Sequence, residues 1–241
     1  MSGSPQSAIT FTESPNPRRD VLLRCPVFRG VTEPTLSEVA LSCQPTRLER
    51  KRPRTGMLRG LFVVSAGRAR LVRTVGTRVV TLHYVGPTDV YGEGFLSDED
   101  EDFELLVLGE LDALRVPLNV MQRLVEQEPS VASRLLDIQN ARRRQVEERL
   151  TALLTTTVEA RVADFVLKAA ARHGIPESRG VLIGEKFTHI EIAEYVGATR
   201  ETVTLVLGVL KRDGLIDTDH RRIVVLDAPA LEQRASAVTG P

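Results

Sequence analysis

FTHIEIAEYVGATRETVTLVLGVLKRDGLI, residues Phe187 to Ile216, decides how this chain folds. Thr188 and Glu191 stand three apart ahead of an apolar run, the pattern of a capping box that starts a helix. Ile192, Ala193 and Val196 fall on one face of that helix, and Gly197 ends it by accepting a positive φ. Thr199 caps a second helix whose apolar face is Val203, Val206, Leu207 and Leu210. Glu201, Thr204, Leu205, Gly208 and Arg212 lie roughly opposite, with Arg200 at the rim, and Gly214 stops the helix. Leu215-Ile216, a polar turn at Asp219-His220 and the run Ile223 to Leu226 then predict a two-stranded wing. Two short helices about a tight turn form the unit that lays its second helix in a DNA major groove. The Thr-Arg-Glu-Thr at the start of that helix offers a guanidinium for guanine, a carboxylate for a cytosine amine and hydroxyls for phosphate. A helical hairpin that merely packs on another domain has no use for such a set.

These residues resemble the winged helix-turn-helix of the cAMP receptor protein/fumarate–nitrate reduction regulator (CRP/FNR) family, whose usual form is Ser/Thr-Arg-Glu-Thr-Val after the turn glycine. The resemblance implies that Arg200 and Glu201 read base edges and that Thr199 and Thr202 meet phosphates. Thr188, His189, Thr204, Leu205, Lys211 and Arg212 complete the expected DNA-binding set. One position departs: where the best-known members carry a second base-reading arginine, this chain has Leu205. Leucine can touch a thymine methyl but cannot pair bidentately with guanine, so the half-site is expected to differ from theirs.

At 241 residues the chain has room for one large or two modest domains. Its formal net charge is zero. The stretch Thr157 to Leu226 holds ten Lys/Arg against ten Asp/Glu. Phosphate neutralisation therefore falls to local placement of Arg200, Lys211, Arg212, Arg221 and Arg222, and the salt dependence of DNA binding should be modest. With only Cys25 and Cys43, neither a disulfide framework nor a zinc or iron–sulfur cluster is favoured. No apolar run reaches the roughly 18–20 residues that span a bilayer, so no membrane partner is expected. The start lacks the basic-then-apolar pattern of a signal peptide. A reducing cytoplasm is the expected compartment.

From Val21 to about Pro117 short apolar runs alternate with Gly and Pro. Leu61 to Val64 and Ala69 to Val72 flank Ala66-Gly67, read as a turn; Val79 to Leu82 precedes the turn Gly86-Pro87; Leu105 to Leu108 follows. Short strands at this spacing predict a sandwich or jelly roll. Leu61 to Leu71 and Asp89 to Glu93 also resemble the effector domain of the same family. Leu118 to Gln127 reads as a short helix, and Ser130 to Leu154 as a long one, roughly 37 Å at 1.5 Å per residue. Val131, Leu135 and Ile138 make one stripe and Ala132, Leu136, Val146, Leu150 and Leu153 a neighbouring one, which suits a helix with one face on its own sandwich and one on a twin. Val131, Leu135, Ile138, Val146, Leu150 and Leu153 are the candidate dimerisation residues. Thr155 to Thr157 reads as a hinge, and Val158 to His173 as the first helix of the winged domain. The expected architecture is α+β: a tail (1–20), an N-terminal β jelly-roll of cyclic-nucleotide-binding type (21–128), a dimerisation helix and hinge (129–156), a winged helix-turn-helix (157–228) and a C-terminal tail (229–241).

In cyclic-nucleotide-binding relatives a Gly-Glu holds the ribose and an Arg-Ser or Arg-Thr about ten residues later holds the phosphate. Here Gly92-Glu93 remains, but six carboxylates occupy the seven positions Asp98 to Glu104. Carboxylates beside a phosphate repel it by roughly 1–4 kcal/mol per pair at surface-like dielectric. The helix positions that relatives offer to the base align with Val146 and Glu147. With Gly92 and Glu93 these form the candidate effector pocket, and cAMP is not expected to bind there. The acidic run fits no calcium-loop spacing. Haem would draw on His83 and Cys25, yet His83 sits in an alternating strand, so no cofactor is expected.

Three functions compete. A homodimeric regulator would bind double-stranded DNA at a palindrome, with RNA polymerase as a possible partner. An enzyme on the sandwich would need clustered inward His and carboxylates, whereas His83, His173, His189 and His220 are scattered, so no enzyme is expected. A dimeric sensor or adaptor that no longer binds DNA is allowed by Leu205 and the neutral winged domain. The basic run Arg47, Arg50, Lys51, Arg52 and Arg54 reads as a solvated loop edge that could also touch polymerase or flanking DNA.

Overall fold

The computed structural model describes residues 17–49, 54–55, 60–92, 104–220 and 222–237. The described chain is α+β and divides into two compact units, Met1–Ala69 with Val85–Asp137, and Arg70–Tyr84 with Ile138–Pro241. Among the described residues no helix is long and apolar enough to cross a membrane.

The first unit opens with α1 (Pro17–Arg24), a short 3-10 turn (Pro26–Phe28) and α2 (Glu33–Ser42). Helix α1 corrects the expected tail boundary: Pro17 to Asp20 belong to a helix held in place by the completely buried Leu22 and by the pairing of Arg19 with Glu33 on α2. A six-stranded sheet follows along the chain, with β1 (Gln44–Glu49), β6 (Glu104–Pro117), β3 (Gly60–Val75) and β4 (Arg78–Val85) side by side in that order, the hairpin Arg70–Tyr84 belonging to the second unit. β1 runs antiparallel to β6, from Gln44 opposite Arg115 to Glu49 opposite Glu110. The two-residue strands β2 (Arg54–Thr55) and β5 (Val90–Tyr91) attach to β6 and β3. Phe62 and Tyr91 stack at 4.8 Å, and Leu61, Phe62, Leu111 and Met121 are fully buried.

Ala66-Gly67 is no turn. β3 runs straight through it, and a Cβ at Gly67 would stand 2.1 Å from the Glu110 carbonyl oxygen. The glycine serves close backbone approach, a need that punctuates a strand as strongly as a turn does. The reversal comes later, at Gly76-Thr77, a two-residue connection in which Gly76 has φ +60°. Gly86-Pro87 does turn as expected, with the Asp89 amide donating to the Gly86 carbonyl.

Helix α3 (Leu118–Gln127) leads to α4 (Pro129–Thr155). Val131 and Leu135, expected at a dimer seam, are fully buried. They are core residues of the first unit, so the dimer expectation is corrected at both positions. Ile138 is half-buried, whereas Val146, Leu150 and Leu153 are exposed.

In the second unit α5 (Val158–His173) begins at a Thr157 cap that accepts from the Ala160 amide. Strands β7 (Gly174–Glu177) and β8 (Gly180–Ile183) precede α6 (His189–Val196) and α7 (Arg200–Arg212). The wing, β9 (Ile216–Asp219) and β10 (Arg222–Val225), belongs to a four-stranded sheet ordered β7-β8-β10-β9. Residues of β7 are all exposed, so no alternation announced that strand. The expected C-terminal tail is also corrected. Residues Ala228–Ala235 form α8, whose cap is Asp227, whose Leu231 is fully buried and whose Arg234 bridges Glu159 at 2.5 Å and Asp213 at 2.6 Å.

Candidate nucleic-acid interface

Helix α6 starts as its residues dictate. The Thr188 hydroxyl accepts from the Glu191 amide at 3.3 Å, and the Glu191 carboxylate accepts from the Thr188 amide at 2.7 Å. Gly197 takes φ +69°, ψ 48°, and returns the chain so that Ala198 donates to the Ala193 carbonyl. Arg161, which carried no signal in sequence, fixes this corner. Its guanidinium donates to the Val196 carbonyl at 2.9 Å and the Thr156 carbonyl at 2.7 Å, tying the expected hinge to the turn.

Thr199 caps α7 by accepting from the Thr202 amide, and the two threonine hydroxyls lie 2.9 Å apart. Val203, Leu207 and Leu210 are buried, with Val206 half-buried beside them. This packing leaves Arg200, Glu201, Thr204, Leu205 and Gly208 facing outward; Leu205 is 71% exposed. Neither the Arg200 nor the Glu201 side chain has a hydrogen-bond or ion-pair partner among the described residues. An exposed arginine and glutamate held at a helix N-terminus, with no internal use, can meet the edges of bases in a groove.

Other expected residues are partly committed. The Thr204 hydroxyl donates to the Arg200 carbonyl at 2.9 Å and lies 2.7 Å from Nδ1 of His189. A hydroxyl has one hydrogen, so Nδ1 must carry the proton here and Nε2 is left for an outside partner. Lys211 bonds Asp217 at 2.9 Å and Thr218 at 3.0 Å on the wing. That pairing, with the Thr218 amide, holds the Asp217 carboxyl below the usual carboxylate range. Arg179, absent from the expected set, bonds Asp217 and Asp219. Arg212 stays exposed at the end of α7, and Arg221 lies outside the described residues.

Of the expected effector residues, Gly92, Val146 and Glu147 are among the described residues and Glu93 is not. Gly92 is required by geometry, since a Cβ there would approach the Gly60 carbonyl oxygen to 2.6 Å. Glu93 and residues 97–103 of the acidic run lie outside the described residues, as do Arg50, Lys51 and Arg52 of the basic run. Val146 and Glu147 are exposed, and Glu147 pairs with Arg143 one turn back. The face of α4 that meets β4 is a different one. Arg149 donates to the Thr81 and Leu82 carbonyls at 2.7 Å each, and Gln145 bonds His83.

Residues 160–234 match the Crp-like helix-turn-helix domain family. Along most of its length the chain is similar to the cyclic AMP receptor protein of Thermus thermophilus, with 31% identity over 224 residues, 87% of this chain and 96% of that protein. The chain belongs to the CRP/FNR family. It also matches a CRP-like cAMP-activated global transcriptional regulator of Mycobacterium tuberculosis, 26% identical over 223 residues that cover 90% of this chain and 99% of the relative. Among solved structures, a CRP-family transcriptional regulator from Thermus thermophilus superposes with a TM-score of 0.66 at 28% identity, covering 81% of this chain and all of that one. Membership makes α6 and α7 the helix-turn-helix of a transcriptional regulator.

Proposed function

We propose that the chain is a homodimeric, sequence-specific regulator that reads a palindromic operator and does so without cAMP. The observation that carries the DNA reading is the exposed Arg200-Glu201 pair at the N-terminus of α7, whose side chains have no partner among the described residues. Arginine pairs with guanine through two hydrogen bonds and glutamate accepts from cytosine, each worth about 1–3 kcal/mol of discrimination. Dimerisation is supported by the exposed leucines of α4, and a palindrome follows from two-fold symmetry.

Independence from cAMP rests on the six carboxylates among Asp98 to Glu104, where relatives place a cation, and on Glu147 where they place a hydroxyl. The named Thermus and Mycobacterium relatives are described by cAMP; this chain departs from them in the residues that would hold its phosphate. Selection from random duplex DNA tests the first reading. An enriched palindrome whose specificity is lost in Arg200→Ala and Glu201→Ala, with folding retained, supports it. Absence of any enriched site would leave a dimeric adaptor of the same fold. Calorimetric titration with cAMP tests the second reading, and a dissociation constant below about 10 μM would overturn it.

A further inference from the structure

The second unit contains a contact that the DNA-reading face does not use. Its hairpin segment, Arg70 to Tyr84, is fastened to α6, the helix that carries α7. Arg70 is 4% exposed and donates to the Thr81 hydroxyl at 3.0 Å. The same guanidinium forms an ion pair with Glu194 of α6. One helical position on, Tyr195 joins a ring cluster with Tyr84 and Phe165, at centroid distances of 5.7 and 5.3 Å, and Phe187 closes it at 5.7 Å from Tyr84. The Arg149 guanidinium lies 4.5 Å over the Tyr195 ring while holding the carbonyls of Thr81 and Leu82.

These contacts are specific rather than merely adhesive. A buried arginine without its carboxylate is strongly unfavourable, and a cation over an aromatic face gains further when desolvated. Both therefore define one docked arrangement of hairpin and helix. In that arrangement Arg200, Glu201 and Leu205 stay exposed, so the contact does not mask the reading face.

We propose that Arg70 is a positioning residue for operator recognition: through Glu194, with Arg149 and Tyr84 through Tyr195, it fixes the direction in which the helix-turn-helix is presented. A signal that displaces the hairpin would then alter DNA recognition without touching α7. This inference rests on the DNA-reading function proposed above.

The test uses full-length wild type, Arg70→Met, Arg70→Lys, Glu194→Gln and the Arg70→Met/Glu194→Gln double variant. Anisotropy measures binding to the selected operator and to versions whose half-sites are moved together or apart by one base pair. The wild type should prefer one spacing. Arg70→Met and Glu194→Gln should each weaken that preference by about tenfold, within the usual range of coupling between sites. The double variant should do no more than either alone, and Arg70→Lys should keep part of the preference. A loss of global stability alone would lower binding to all spacings equally. Should Arg70→Met fail to fold, Glu194→Gln retains a hydrogen-bond acceptor for Arg70 and carries the test. Unchanged spacing preference in the folded variants overturns the proposal. If the wild type selects no operator, the DNA-reading function itself has failed. Amide exchange without DNA then decides the contact: faster exchange across His189 to Val196 in Glu194→Gln upholds it, and unchanged exchange removes it.

Discussion

His83 is a half-buried strand residue whose titration bears on stability. Burial, then the charges of Arg142 and Arg149, push its pKa down to about 4, against a smaller opposite pull from its bond to Gln145. The unfolded imidazole titrates near 6.5. Between those values the unfolded chain binds the proton that the native state refuses, so stability falls as pH drops from about 6.5 toward 4, and above 6.5 the group contributes no slope. His83→Gln should therefore narrow the gap between melting temperatures at pH 7 and pH 5; an identical gap in both proteins would refute the assignment. Gly197 is the second decisive residue. Its φ of +69° suits glycine, and an added Cβ would stand 2.6 Å from Leu153 Cδ2. Gly197→Ala should destabilise by about 1–3 kcal/mol in chemical denaturation, through both backbone strain and crowding. Gly197 was legible in sequence because a helix-ending glycine has a local signature. Arg70, Arg161 and Glu194 were not, since each acts on a partner distant in sequence, the Arg70–Glu194 pair being separated by 124 positions.

Among the elements, α6 and α7 were legible to the residue. Their caps, their turn glycine and their apolar spacing are all local, and each found the role its chemistry suggests. Three elements were misread for physical reasons. β3 hides a close backbone approach behind a turn-like glycine. β7 is wholly exposed and so lacks a pattern. α8 buries little besides Leu231, although Asp227 before Pro229 did offer a helix start. Residues of both α4 stripes were expected at the dimer seam, yet Val131 and Leu135 of the first are buried, whereas Leu136, Val146, Leu150 and Leu153 of the second face out; a sequence period gives a face, not what covers it. The outward face of α7 supports a sharper expectation. Leu205 is exposed, and the buried side of the helix is set by Val203, Leu207 and Leu210. Leu205→Arg should leave the melting temperature within about 2 °C, since surface changes stay within about 0.5 kcal/mol. It should also shift the base preference of the half-site toward guanine at one position. Selection with the variant yielding the wild-type site would show that this position does not reach the bases.

At the scale of the molecule, zero net charge bears on how binding strength is built. Lys211 is spent on Asp217, and Arg179 answers Asp217 and Asp219, so few cations of one winged domain are free for phosphates. With little non-specific attraction to lean on, a tight operator complex has to come from engaging two half-sites at once, where linkage raises avidity by about 10²–10⁴ over a single site. The surface proposed to supply that linkage is the exposed run Val146, Leu150 and Leu153 on α4, spaced four and then three residues apart as in a helix pair. A carboxylate at Leu150 would place like charges opposite each other across such a seam. Leu150→Glu should therefore run as a monomer in gel filtration with light scattering, keep its helical circular dichroism, and bind the full palindrome about 100-fold more weakly, while a lone half-site is bound as before. A variant that stays dimeric with unchanged affinity would mean that this stripe is not the seam, and the operator would have to be held by some other pairing of the two copies.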